Sequence, residues 1–396
     1  MRASGFAPAV VVFLESTRRL RAWLSLQSAS TAQTVAGGRS RVECSAARAS
    51  DSHLKRETQC TLTRGATMKR SSLAGAVILM GLLMTGTLAT AGTTTTGTTS
   101  PFVLVCGTNG QDVISKYLSN PKQGLSLNVR GTCYETNLMI TTPFVTLDGA
   151  DLRDDGRGVA SIISTGTNVA ALGIRGAAGV MIRNLTVTVS PNAPDDDAIS
   201  VYESASARIE HVTTAGGSVG IAVSRNAYGR IIGCTITSNN VGINVYEGGV
   251  ARIGFTSGAS GVAGNTISGN PGTGILVQKG SEAFIVGNSI QNNGMPTAPA
   301  NGITVMNGST IHAAANTIDG NSAVGISVFQ GSGAQLGGSG TSVFDQPNTG
   351  TNGRVGVYCA IGGWVAGRVG GLTGTDGATS IDLGCVTNLL PPPPAP

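Results

Sequence analysis

Apolar residues in the second half of the chain come in short alternating bursts. Ile275 and Val277 make one, Phe284 or Ile285 continues it, Ile290 follows, and Gly, Asn and Ser separate them. Period-two alternation predicts strands with one buried face. The bursts recur: Gly-Ile-x-Val begins at Gly220, Gly242, Gly274, Gly302 and Gly325, with successive spacings of 22, 32, 28 and 23 residues. A second template recurs beside it, as CTITSN from Cys234, NTISGN from Asn265, NSIQNN from Asn288 and NTIDGN from Asn316. Self-similarity at this period predicts stacked coils rather than a closed core. The expected fold is all-β, a single-stranded right-handed parallel β-helix with coils of about 22 residues and an N-terminal cap.

Stacking the repeats predicts a column of Ile199, Ile221, Ile243, Ile275, Ile303, Ile326 and Val357. A second column holds Asn265, Asn288 and Asn316, with Cys234 in register one coil earlier. Asn tolerates left-handed geometry at tight turns, and stacked amides hydrogen-bond along an axis, so this ladder is read as structural. The second Asn of each template, with its Gly, reads as turn chemistry. Fifty-eight glycines, 4% aromatic and 12% charged residues would suit disorder, but 40% of residues are apolar and regularly placed. Narrow coils favour that composition.

Residues 1–91 carry a different pattern. Met68-Lys69-Arg70 is a basic start, 73–84 is apolar, and Ala89-Thr90-Ala91 is a cleavage signal, so 68–91 reads as a secretory signal peptide. Its apolar run is too short for a good transmembrane span. Residues 1–67 are expected to be an extension upstream of a start at Met68, or a long leader. A Thr/Gly linker over 92–100, the β-helix over 101–390 and a Pro-rich tail over 391–396 complete the layout. The leader holds 12 basic and 4 acidic residues, which leaves 14 and 17 in 92–396 and a net charge near −3, against +5 for the whole chain. That balance gives no footing for a nucleic-acid partner.

Cys44 and Cys60 fall in the leader. Cys106 and Cys133 flank the N-terminal end, Cys359 and Cys385 the C-terminal coils, and these two pairs are expected as disulfides in an oxidising compartment. Cys234 is expected as a buried ladder residue. The stretch DVISKYLS from Asp112 reads as a short amphipathic helix covering the first coil, which begins near Leu125. Insertions over 254–264 and 295–300 are expected as wall loops.

The chemistry-bearing stretch is DDDAISVYESASARIEH, from Asp195 to His211. Asp195 and Asp197 lie two apart on a strand and point one way. With Glu210 and His211 on a neighbouring strand they make a carboxylate and imidazole patch. Such a patch suits acid/base work on a glycosidic bond by Asp195, Asp197 and His211, or Ca²⁺ held by oxygen ligands from Asp197 and Glu210. The alternative is a solvated loop entering a strand, with His211 at a turn. Asp148, Asp151, Asp154 and Asp155 form a second acidic cluster, read as a turn; no paired histidines suggest zinc.

Asp-Ala-Ile-x-Val followed by Ile-Glu-His is similar to the D-A-I-x-V…W-I-D-H segment of pectate lyases, which implies a Ca²⁺ role for Glu210. Arg208 stands where those lyases have Trp, the next coil offers no acidic ligand, and no Arg-x-Pro-x-x-Arg is present. Asp195, Asp196 and Asp197 also resemble the Asp trio of polygalacturonases, but their companion motifs are absent. The repeats as a whole look like the right-handed β-helices of the pectin-lyase-like group, which holds both enzymes and non-catalytic proteins.

Without a complete catalytic set, the expected role is an exported glycan-binding protein or surface scaffold. Tyr202 and Tyr246 share a register as candidate sugar-stacking residues, and a polysaccharide or cell-surface glycan is the expected partner. A lyase, hydrolase or epimerase acting on acidic polysaccharides such as pectin is one alternative, and an adhesin another. No cofactor beyond Ca²⁺ is called for, and no membrane segment after signal cleavage.

Overall fold

The computed structural model describes residues 102–390, apart from 108–111, 137, 151–159, 167–169, 192–195, 256–260 and 339. The expected leader, signal peptide, linker and Pro-rich tail lie outside the described residues, as do Asp151, Asp154, Asp155 and Asp195. Within them, three parallel sheets of twelve, ten and ten strands run the length of the molecule. One coil takes Asp197–Tyr202 in sheet C, Ser206–Glu210 in sheet A and Thr213–Ala215 in sheet B, then returns to sheet C with Val219–Ser224. Every strand pairs in parallel with its copy one coil away, the right-handed crossover expected of parallel strands.

The isoleucine column forms as the repeats predict. Ile199 pairs with Ile221, then Ile243, Ile275, Ile303, Ile326 and Val357 follow in register, each fully buried. Coils without insertions take 22 residues, as from Ile199 to Ile221; longer ones carry loops at the corners. Residues 295–300 bulge between sheets B and C, and the described parts of the other insertion, 254–255 and 261–264, lie between A and B. A third insertion, described over 340–348, follows at the same A–B corner, and its Phe344 ring meets Phe255 edge-on at 5.2 Å.

The glycine that opens each Gly-Ile-x-Val is there because the next coil leaves no room. A Cβ on Gly274 would sit 2.7 Å from the Gly302 carbonyl oxygen and 2.8 Å from Asn293 Nδ2. At the corner from sheet C to sheet A two consecutive residues take positive φ, such as Asn307 at 55° and Gly308 at 72°. This is the type I′ turn, for which Asn-Gly is the preferred pair.

Two buried amide ladders fasten the coils. Asn265, Asn288, Asn316 and Asn348 stack with Nδ2-to-Oδ1 bonds of 2.8–3.0 Å, and Asn265 Oδ1 accepts the backbone N–H of Cys234. The second Asn of each template does more than turn the chain. Asn270, Asn293, Asn321 and Asn352 form a parallel ladder with bonds of 2.8–2.9 Å, and Asn239 joins it through its backbone N–H.

Both ends are closed by disulfides, Cys106–Cys133 and Cys359–Cys385. Helix α1 (Val113–Leu118) covers the first coil with Ile114 and Leu118. Its N-terminus is capped from the coil: buried Glu135 accepts the backbone N–H groups of Ile114 and Ser115 and the Ser115 hydroxyl.

Candidate functional site

The sequence candidates separate in space. Asp197 opens its strand in sheet C, in register with Ala170, and only 9% of its surface is exposed. Its Oδ2 accepts the Ser200 hydroxyl at 2.5 Å. Burial is the main reason its carboxyl is pushed up to about 6, with neighbouring Asp196 adding to it. Glu210 ends a strand of sheet A, one wall away and on the far side of sheet B. There its carboxylate is neutralised by Arg208 two residues earlier on the same strand. His211 follows at φ 51°, exposed at the A–B corner, its imidazole lying over Gly233. It is the turn residue of the alternative reading.

Asp197 and Glu210 therefore make no joint carboxylate site, because the chain turns through a corner between them. Among the described residues no three His, Cys, Asp or Glu side chains converge as a metal cage, and Asp197 and Glu210 stand on different sheets. Asp148, the described member of the second acidic cluster, is held by Arg183 and Asn184 at 2.7 and 2.8 Å.

Tyr202 and Tyr246 do share a register, at the end of sheet C away from Asp197, with Ser224 between them. Each ring has a cation over one face. Arg225 lies 5.9 Å over Tyr202 and Lys279 5.7 Å over Tyr246, both within cation–π range. These cations belong to a chain of alternating charge along the C–A corner: Arg175, Glu203, Arg225, Glu247 and Lys279, with contacts of 2.7–3.5 Å. Lys279 beside it holds the Glu247 carboxyl below its usual range.

The residues that converge are none of the sequence candidates. On the outer face of sheet C near its C-terminal end, a groove of about 400 Å³ is lined by Asn301, Ser327, Arg354, Tyr358, Asp376 and Ser380. Ser327, Tyr358 and Ser380 share one outward register, where earlier coils carry Ser200, Ala222, Asn244, Leu276 and Thr304. Arg354 and Asp376 close one side at 3.6 Å, and the Tyr358 hydroxyl donates to Asp382 at 3.0 Å. The available signal was Val-Tyr-Cys at 357–359, which puts an aromatic where the other repeats have small or aliphatic residues. A larger cavity of about 750 Å³, lined by Val369, Leu389, Leu390 and glycines, opens at the last coil and is mostly apolar.

The family described as right handed beta helix region matches residues 170–341. No curated protein matches the chain. Among solved structures, a periplasmic alginate epimerase is 14% identical, with 70% of this chain and 81% of that one covered and a TM-score of 0.37. The A-module of a mannuronan C-5 epimerase from Azotobacter vinelandii is 15% identical, with 72% and 94% covered and a TM-score of 0.36. The Agl-KA catalytic domain is 15% identical, with 70% and 64% covered and a TM-score of 0.34.

Proposed function

We propose that this right-handed β-helix repeat protein is an exported glycan-binding protein without a depolymerising centre. The observation that carries this reading is the sheet C groove. Its volume of about 400 Å³ suits a short saccharide, its polar groups come from four successive coils, and Tyr358 supplies an aromatic face among them. Export is supported by the two disulfides and by the signal-peptide pattern over 68–91. The absence of a catalytic role is supported by the separation of Asp197 from Glu210 and by the Arg208–Glu210 pair.

The test is calorimetric titration of the purified protein with neutral and acidic oligosaccharides. Binding that falls at least about tenfold in Tyr358→Ala, with the melting temperature unchanged, is the expected result. Binding indifferent to Tyr358 and Arg354 would remove the groove from the account.

One observation favours a second reading, that of a lyase, hydrolase or epimerase on acidic polysaccharides. Asp197 keeps its proton to about pH 6, as a general acid requires. Incubation with polygalacturonate and alginate, followed by mass spectrometry and NMR of the products, decides it. Products that disappear in Asp197→Asn would make the protein an enzyme, whereas unaltered polymers leave binding.

A further inference from the structure

The outer face of sheet A carries a second, differently built surface. Ala207 and Ile209, Gly229 and Ile231, Ala251 and Ile253 face the core. Strand alternation therefore turns Arg208, Arg230 and Arg252 outward. They stand in direct register, Arg208 beside Arg230 and Arg230 beside Arg252, and the same column continues as Phe284 and His312. Parallel strands lie about 4.8 Å apart, so the column is an axial row of three guanidinium groups followed by two flat rings, about 19 Å long.

Like charges in register on neighbouring strands repel. This chain elsewhere avoids that arrangement in the same three coils. Five residues before each arginine, the C–A corner carries Glu203, Arg225 and Glu247, alternating in sign and paired. The arginine row has no such alternation. Arg208 is tied to Glu210 on its own strand. Among the described residues Arg230 lies within ion-pair distance of no carboxylate: its Nε donates to the Tyr228 hydroxyl at 3.1 Å, and its guanidinium lies 5.8 Å over that ring. The Arg252 guanidinium lies 5.8 Å over Phe255. A depression of about 270 Å³ bounded by Ser206, Arg208, Tyr228 and Arg230 begins the row. At its other end Phe284 and His312 stack at 6.3 Å, and His312 Nε2 is held by the Phe344 carbonyl at 2.9 Å. The rings are thereby fixed as a platform.

We infer that sheet A binds an anionic polysaccharide lying along the helix axis. One carboxylate or sulfate per sugar would meet Arg230, Arg252 and, at the margin, Arg208, and a sugar face would rest on Phe284 and His312. A planar guanidinium steadied by a neighbouring aromatic side chain is held ready for bidentate contact with such groups. This deepens the glycan reading and rests on it, but it uses a different wall from the Tyr358 groove. A polysaccharide fits better than a nucleic acid, because the disulfides belong to an oxidising compartment and 92–396 is net negative.

The experiment measures binding of the full chain to polygalacturonate, heparin, a neutral glucan and single-stranded DNA at two ionic strengths. It uses wild type, Tyr358→Ala, and the double variant Arg230→Gln with Arg252→Gln, which keeps much of each aliphatic stem. Acidic-polymer binding that weakens with salt and falls about tenfold per arginine removed, while the neutral glucan is unaffected, is expected. Polygalacturonate offers carboxylates alone and heparin adds sulfates, so tighter heparin binding reports a sulfate contribution, and a preference for either supports the inference. Acidic-polymer binding unchanged in the double variant overturns it while leaving the groove standing, and so does DNA bound as tightly as either polysaccharide. Loss of neutral-glucan binding in Tyr358→Ala with acidic binding intact shows two independent sites. No binding of any polymer overturns both readings.

Discussion

At the scale of single residues, two side chains depart from their columns in ways that stability measurements can read. Asp197 is a carboxylate in register with Ala170 and Val219, and burial raises it from 3.8 to about 6. A folded-state pKa above the unfolded one means that the native protein holds the proton more tightly. The stabilising contribution is therefore complete below about pH 4 and is lost as pH rises through about 6, by on the order of 2–3 kcal/mol. Urea unfolding of Asp197→Asn across this range should show a flatter pH profile and a higher midpoint above pH 6 than wild type; parallel profiles would contradict it. Cys234 departs differently. It heads the Asn265 ladder, burial pushes its thiol up to about 12, and its Sγ donates to the Ile209 and Ile232 carbonyls while the Val212 N–H points at it. Asn at this position would take over these bonds and extend the ladder. Cys234→Asn is expected to melt at or above wild type, whereas Cys234→Val strands the Val212 N–H and costs about 1–3 kcal/mol. Cys234 was readable from its place in the template; the burial of Asp197 was not, since PDDD reads as a solvated loop.

At the scale of the coil, the glycine and asparagine columns do separate jobs. Gly274 is small because the next coil's carbonyl oxygen and the ladder amide crowd it, so Gly274→Ala is an overpacking change expected to cost about 1–3 kcal/mol. Asn293→Ala removes a hub. Its amide donates to the Ile267 carbonyl and to Asn321, and accepts from the Asn270 backbone and side chain. Four buried polar groups each lose a bond at once, although Asn321 Oδ1 keeps the backbone N–H of residue 293 and Asn270 Nδ2 keeps the Ile236 carbonyl, and a cost of at least about 2 kcal/mol is expected in chemical denaturation. A cost under about 1 kcal/mol would mean that water enters and replaces the amide. The first ladder was visible as the leading Asn of each template. The second was mistaken for turn chemistry because Asn followed by Gly is also what a turn wants, and sequence spacing does not reveal burial. Asn348 and Asn352 escaped notice because NTGTN lacks the apolar residue of the other templates. The arginine row was hidden for a related reason. Aligning Arg208, Arg230 and Arg252 requires knowing that the coils from Glu203 onward turn from sheet C to sheet A in the same two residues, a regularity carried by φ angles and not by residue type.

At the scale of the molecule, the isoleucine column and the position of the four cysteines were enough to predict a solenoid sealed at both ends. Each coil touches its neighbours only, so stability is a sum of local terms and the ends set where opening begins. The N-terminal seal combines helix α1, the Glu135 carboxylate beneath it and Cys106–Cys133; the C-terminal seal among the described residues is Cys359–Cys385. The disulfides span 27 and 26 residues, about one coil each, for which loop-closure entropy gives about 3–4 kcal/mol apiece. In a globular domain that loss would lower the global melting temperature. Here it falls on two terminal coils that share no strand pairing with the middle ones. Reduction is therefore expected to fray the ends before the centre. Hydrogen exchange with and without reductant should show lost protection over 126–135 and 357–381, with amides of 219–305, held by both Asn ladders, exchanging as before. Uniform loss along the chain would mean that the coils unfold as one cooperative unit, and that the seals stabilise the whole column rather than its ends.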